Sequence, residues 1–191
     1  LQQLTQLGNL HEYWKLLDDL YRLLSPLEPG SMLMDVGVGH GDLVRATMVN
    51  QAYRSRQRGW SPERPVHVIG LGHSHESLTQ ARQSLRALHR ELDSDFAGTL
   101  TIHPPLTAEW VHTDWTQGLP FKNDSLHRIV CNLSLTFVPS PLCTIRELYR
   151  VLHPHGRLVL TVFQPETDLS VLYRRHLHSA NQDEFSPQAQ I

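Results

Sequence analysis

Apolar residues recur at steps of three and four over residues 7–24, at Leu10, Trp14, Leu17, Tyr21 and Leu24. That spacing predicts an amphipathic helix with one buried stripe. Pro26, Pro29 and Gly30 end it. The run MLMDVGV (32–38) is short, apolar and closed by glycines, so it reads as a buried strand. A helix is expected from Asp42 to Tyr53, with Leu43, Val44 and Met48 inward. RSRQRGWSPERP (54–65) is polar and carries Gly and Pro, hence a loop, and VHVIGLG (66–72) is a second strand. The clearest helical stripe is Leu78, Ala81, Leu85, Leu88 and Leu92, with Ser74 as N-cap and Glu76 in the first turn. TLTIH (99–103) and EWVHTDW (109–115) are β-like and split by Pro104 and Pro105. SLHRIVCNLSL (125–135) is a further strand. PLCTIRELYRVL (141–152) predicts a helix with Leu142, Ile145, Tyr149 and Leu152 inward. HPHG (153–156) is a turn and RLVLTVF (157–163) a buried strand. A last helix is expected from Asp168 to Ala180.

Strands alternate with helices throughout, the pattern of a parallel α/β sheet with right-handed crossovers and helices on both faces. A chain of 191 residues fits one domain. Residues 1–180 read as that domain: 1–30 a helical cap, 31–165 the core sheet and 166–180 the last helix, with 181–191 a tail. With 17 Lys and Arg against 19 Asp and Glu, the net charge of −2 gives no whole-chain attraction to nucleic acid or to an anionic membrane. No apolar run reaches bilayer length, and the first ten residues lack the pattern of a secretory signal. Cys131 and Cys143 make no disulfide framework, so a reducing, cytoplasmic setting is expected. The chain lacks an initiator Met and is read as a piece of something longer.

The sharpest local signal is Asp35-Val-Gly37-Val-Gly39-His-Gly41, between a strand and a helix. Glycines there permit positive φ and keep Cβ atoms away from a ligand. In an open α/β sheet such a ligand sits at the carboxyl ends of the strands. The dinucleotide fingerprint G-x-G-x-x-G fails on spacing, because counting from Gly37 the sixth position is Asp42, and an acid there would repel a pyrophosphate. No GK[ST] follows, which excludes the P-loop.

DVGVGHG resembles the D-x-G-x-G-x-G loop of class I S-adenosylmethionine-dependent methyltransferases. VHVIGLGHSHESLTQAR (66–82) is similar to that family's second strand and helix. DWTQGLPFKNDSLHRIV (114–130) is similar to its D…LPF…D-S-F-D segment, and IRELYRVLHPHGRLVLTVFQP (145–165) to its L-R-E-x-x-R-V-L-K-P-G-G-R-L helix, turn and strand. The matches keep their order over residues 31–165. Within the family, the likeness is to the small-molecule, type 11 group that includes quinone-biosynthesis methyltransferases.

The resemblance implies a Rossmann-like, doubly wound sheet of order 3-2-1-4-5 and S-adenosyl-L-methionine as cofactor. It assigns the cofactor's methionine part to the backbone of Gly37, Gly39 and Gly41, lined by Val38 and His40. Asp35 would meet the amino-acid end, and an acid suits the cofactor's ammonium and sulfonium charges. Asp114 would accept from the adenine amino group, with Trp115 beside the ring, and Asn132 at the end of the fourth strand would meet the methionine part through its backbone. The acceptor would be a small molecule. Methyl transfer is an in-line displacement that draws most of its acceleration from alignment, so no nucleophile is required of the protein. An oxygen or carbon acceptor needs a base, for which His40, His73 and His112 are candidates.

Three departures stand out. The family places an acid at the end of strand two for the ribose hydroxyls, and here that position is Gly72, followed by His73. Losing such a charged hydrogen bond costs about 1.5–3 kcal/mol. The turn before strand five carries histidines, His153 and His155, where the family has K-P-G-G, and His127 replaces an Asp. Only 26 residues follow Pro165 and read as one helix and a tail, which leaves the family's strands six and seven without a place. The pairs His73/His75, His153/His155 and His176/His178 have no Cys or carboxylate cluster beside them, so no metal site is expected. Arg54, Arg56, Arg58 and Arg64 with Trp60 read as a solvated loop in preference to a nucleic-acid contact. Tyr13 and Trp14 are placed either as a lid over the cofactor or as packing against the sheet. Two functions stay open: methyl transfer to a small molecule, or a non-catalytic methyltransferase-like binding or interaction domain of a longer protein.

Overall fold

A computed structural model describes residues 11–58, 64–95, 106–164 and 166. The start of the first expected helix, the centre of the arginine loop, the strand expected at 99–103, the last helix and the tail lie outside the described residues. Helix α1 (His11–Leu24) buries Leu17, Leu20, Tyr21 and Leu24. Tyr13 packs against the core, whereas Trp14 is 43% exposed. The buried stripe is therefore Tyr13, Leu17, Leu20, Tyr21 and Leu24, one residue round from the expected one, because 3.6-residue periodicity lets either of two adjacent aromatics start it.

Five strands follow: β1 (Met32–Val36), β2 (Val66–Gly72), β3 (Leu106–His112), β4 (Leu126–Asn132) and β5 (Leu152–Thr161). They form one sheet in the order β3-β2-β1-β4-β5, all pairs parallel, as expected. Helix α2 (Asp42–Arg58) joins β1 to β2, α3 (His75–Asp95) joins β2 to β3, and α4 (Pro141–Val151) joins β4 to β5. One face of the sheet packs Leu33, Val66, Val68 and Val130 against Leu17 and Leu20 of α1, Leu43 and Met48 of α2, and Leu78 and Leu85 of α3. The other packs Met34, Val36, Leu71 and Ile129 against Leu148 and Val151 of α4 and against Trp115 and Leu119 of the β3–β4 connection. Side chains alternate between the two faces, as the pleat requires.

Several boundaries differ from the expected ones. α2 runs on through Arg54–Arg58, which reads as loop in the sequence; no Gly or Pro occurs before Gly59, and Arg54 Nη1 ties the helix to the Tyr21 hydroxyl at 3.3 Å. β3 starts at Leu106 and stops at His112, because it pairs residue for residue with the seven of β2. Thr113 then donates its N–H to Gly72 O at 3.1 Å, and Asp114 and Trp115 leave the sheet. β4 stops at Asn132, since Leu133 adopts a left-handed φ of 58°, and a 3-10 turn (Ser134–Phe137) takes the place of a longer strand. Residues 153–156 lie within β5, where the ladder slips: Leu126 faces Leu152, but Arg128 faces Arg157.

α4 is rotated from its expected setting. Leu142 and Tyr149 are exposed, and Thr144, Leu148 and Val151 are buried. The rotation is set by Glu147 and Arg150. Arg150 donates to Glu147 (2.8 and 2.9 Å), to the Leu119 and Phe121 carbonyls (3.0 and 2.9 Å) and to Asn123 Oδ1 (2.8 Å). This clamp fixes the 119–123 segment and gives the R-E-x-x-R spacing its physical meaning. The carboxyl end of α1 is held in a similar way. Arg128 donates to the Leu24 and Pro26 carbonyls (2.9 and 3.3 Å), and Arg157 to those of Leu23 and Ser25. Two cations at a helix carboxyl end also complement its dipole. Among the described residues no helix is long and apolar enough to cross a membrane.

Candidate cofactor-binding site

β1 runs down the middle of the sheet, and its carboxyl end turns into α2 through the glycine loop. Gly37 and Gly39 have φ of +75° and +52°, values that L residues rarely adopt. A Cβ on Gly37 would collide with the Ser134 side chain, whereas a Cβ on Gly39 would meet nothing within 4 Å. At Gly41 a Cβ would press on Ala81 of α3 at 3.0 Å and on Trp110 of β3 at 3.4 Å. Gly37 and Gly41 are thus needed by the chain's own packing, and Gly39 leaves open space beside its backbone. Val38 is buried, and His40 is half-buried beside Asp42.

Asp35 pairs with Gly70 on one side and Val130 on the other, and its side chain is 3% exposed. Burial, and then the negative charge of Asp42, push its carboxyl up to about 7. Burial also raises Asp42, against which His40 and Arg45 act. Tyr13 of α1 reaches the same region: burial and the charges of Asp42 and Asp35 hold its phenol un-ionised. On the opposite face Cys131 is pushed up to about 12 by burial and by Asp35. Two acidic groups thus share the low-dielectric end of β1. The sequence marks Asp35, but only the fold brings Asp42 and Tyr13 to it.

The ends of β2 and β3 are different in kind. Gly72 is buried, and a Cβ there would stand 3.0 Å from the tip of Leu78. His73 stacks on Trp115 with ring centroids 5.0 Å apart, and its Nδ1 lies 3.9 Å from Asp114 Oδ1. His112 Nε2 lies 2.7 Å from the His73 carbonyl, and its ring stacks on His75 at 3.7 Å. Asp114 Oδ1 accepts from the Thr116 hydroxyl (2.6 Å) and amide (3.1 Å), and these bonds hold its carboxyl below the usual carboxylate range. Trp115 is only 3% exposed, packed in the core under His73, with its indole N–H buried and unpartnered.

Asn132 closes the site on the β4 side. Its Oδ1 accepts from the Thr161 hydroxyl (2.6 Å), while the Ser134 hydroxyl lies within hydrogen-bond distance of the Asn132 and Gly37 carbonyls (3.1 and 3.2 Å). Leu133, in its left-handed conformation, donates its N–H to Thr161. Sequence reasoning missed this Asn132–Ser134–Thr161 knot. It also missed a cleft of about 680 Å³ beside Asp114, lined by Thr113, Gln117, Pro120, Cys143 and Glu147. His153 stacks on His127 and lies tilted against His155. Among the described residues no three His, Cys, Asp or Glu side chains are grouped to hold a metal.

The family profile described as "Methyltransferase domain" matches residues 34–160, from β1 to the end of β5. The chain belongs to the class I S-adenosylmethionine-dependent methyltransferase family. It is 27% identical over 168 residues to the ubiquinone/menaquinone biosynthesis C-methyltransferase UbiE of Ruegeria sp. (strain TM1040), covering 86% of this chain and 54% of the relative. Among solved structures it resembles a methyltransferase-fold protein of Bacillus halodurans C-125, with a TM-score of 0.54 and 22% identity over 83% of this chain and 56% of the other. It also resembles a methyltransferase of Geobacter sulfurreducens solved with S-adenosyl-L-homocysteine, with a TM-score of 0.50 and 20% identity over 76% and 47% of the two chains. The chain thus spans about half the length of the curated relative. The solved methyltransferase-fold neighbours share its five-stranded sheet order.

Proposed function

We propose that this chain binds S-adenosyl-L-methionine across the carboxyl ends of β1, β2 and β3 and serves methyl transfer to a small-molecule acceptor. The observation that carries the reading is Asp35, a buried carboxyl beside a second acid, at the foot of an open glycine backbone. Two acids in one dry place favour a cationic guest, since a positive charge there relieves both burial and mutual repulsion. The cofactor carries that charge, so the residues present fit it. The neighbour from Geobacter sulfurreducens, which holds the demethylated cofactor, supports the same ligand.

When bound, the cofactor supplies a methyl group already activated by its sulfonium. The chain's part is to bind and orient. Asp35 and Asp42 set a negative potential for the ammonium end, and Gly37, Gly39 and Gly41 with Val38 and His40 present backbone and walls. Asp114, held in place by Thr116 on Oδ1, offers its carboxylate to the adenine amino group. Trp115 lies under His73 and supports it from the core side in place of stacking on the adenine ring itself, and Asn132 borders the methionine part. No base is assigned. Titration calorimetry with S-adenosylmethionine and S-adenosylhomocysteine tests the reading: heat and a thermal shift are expected, and their absence at millimolar ligand overturns it.

A second reading, a non-catalytic methyltransferase-like binding or interaction domain of a longer protein, is favoured by the carboxylate-free end of β2 at Gly72. The fold alone does not decide between the two. Cofactor binding without turnover of any acceptor by the full-length protein would favour this second reading.

A further inference from the structure

The cofactor reading fixes two ends of a ligand: a cationic end at Asp35 on β1 and a purine end at Asp114 beyond β3. In the order β3-β2-β1, whatever links those ends must pass the carboxyl end of β2. Adjacent strands lie about 4.8 Å apart, so the crossing spans about 10 Å, and its middle is the sugar. A ribose brings two hydroxyls that need partners once water is excluded. Gly72 offers none.

The polar groups around that strand end are largely engaged already. Ser74 Oγ caps α3 by accepting the Ser77 N–H at 3.2 Å. His112 holds the His73 carbonyl, and His75 is stacked on His112. Asp114 Oδ1 is bound by Thr116. His73 stands apart from these. It is the first residue past β2, with a half-exposed side chain, and its ring is laid on Trp115. Trp115 in turn reaches to 3.7 Å from the Cβ direction of Gly37, so His73, Trp115 and the glycine loop form one continuous wall. The ring has Nδ1 toward Asp114, and Nε2 has no partner among the described residues.

Resting on the cofactor reading, we infer that His73 is the residue that recognises the ribose hydroxyls, through a single imidazole nitrogen in place of a carboxylate. The Trp115 stack keeps the ring from turning away, and the His112 bond to the His73 carbonyl fixes the backbone from which it projects. One neutral contact discriminates less than a bidentate charged one. This chain therefore tolerates loss of a sugar hydroxyl with a penalty of about three- to tenfold.

The test compares affinities for S-adenosylhomocysteine and its 2′-deoxy and 3′-deoxy analogues by calorimetry. His73→Phe keeps a ring on Trp115 and removes the nitrogen. Binding of S-adenosylhomocysteine should weaken about three- to tenfold, and its advantage over the more weakly bound deoxy analogue should shrink toward one. Adding Gly72→Asp to His73→Phe should restore that advantage, because Gly72 has no left-handed φ and only the flexible tip of Leu78 stands in the way. If S-adenosylhomocysteine binds and the ratio is untouched by His73→Phe, the inference falls and the cofactor reading stands. If the wild-type chain binds no S-adenosylhomocysteine, both fall.

Discussion

The two ends of the proposed cofactor cleft are built on opposite physics. At β1 a carboxyl sits almost fully buried with a second acid and a phenol nearby, where water cannot screen them. At β2 and β3 the groups are imidazoles and a half-exposed Asp114 whose carboxyl is already hydrogen-bonded. A charge is worth several times more in the first setting than in the second. On the cofactor reading, with Gly72 giving no acid, the chain concentrates its buried charge at one end. The other end is left to ring stacking and to the hydrogen bonds of solvent-exposed groups, Asp114 among them.

Asp35→Asn should break that contrast most sharply. It removes the buried charge and keeps the shape, so affinity for S-adenosylmethionine should fall about ten- to hundredfold. The ligand-free protein should become more stable at the same time. Asp35 holds its proton up to about 7 in the fold and to 3.8 when exposed, so between those limits the folded state binds more protons than the unfolded one. Stability then falls as pH rises through that window and levels off above it. Asparagine has no such slope, and at pH 8 its melting temperature should exceed the wild type's by roughly 5–10 °C. A loss of stability on this substitution would mean that Asp35 is structural.

The same titration gives the next effect. A cation beside Asp35 binds best to the ionised form, so wild-type affinity for S-adenosylmethionine should rise severalfold above pH 6 as Asp35 ionises and fall again above about pH 8 as the ligand's own ammonium loses its proton. Affinity for adenosine, which lacks the cationic end, should not follow this curve. Calorimetry across that range with both ligands checks it. Parallel curves would show that the two ends are not electrically distinct.

Much of this contrast is written in the sequence, and the part that is not has identifiable causes. The glycine loop is a local motif and periodicity marks the alternating strands and helices, whereas the strand order and Asp114 follow only from the resemblance to the methyltransferase family. The company of Asp35 is only partly local. Asp42 is a helix-start acid that the glycine loop brings back beside it, whereas Tyr13 is legible only as an aromatic on the first helix, and its approach depends on how α1 docks on β4 and β5. That docking is set by Arg128 and Arg157, over a hundred positions away. The rotation of α4 escaped for a related reason. Two apolar stripes compete there, and the choice is made by where Glu147 and Arg150 must reach.

Within the β1 end, Gly37 and Gly39 separate packing from binding. Gly37→Ala forces a Cβ into Ser134 at a left-handed φ and should cost about 2–4 kcal/mol in urea unfolding. Gly39→Ala meets open space, so it should cost about 1 kcal/mol for its backbone alone. If that space belongs to the ligand, Gly39→Ala should still weaken S-adenosylhomocysteine about three- to tenfold. An unchanged affinity would place the cofactor's path elsewhere.

The smallest expected effect asks whether α1 is what keeps the β1 end dry. Arg128→Ala removes bonds to the Leu24 and Pro26 carbonyls and leaves Arg157 to hold the helix end alone. The loss should be about 1–2 kcal/mol. A looser α1 lifts Tyr13 from above Asp35 and readmits water, and rehydration moves a buried carboxyl back toward its exposed value. The pH midpoint of S-adenosylmethionine affinity should therefore move below the wild-type position. If the midpoint holds and the protein merely melts earlier, the dryness of Asp35 comes from the sheet and α2, and α1 is no lid.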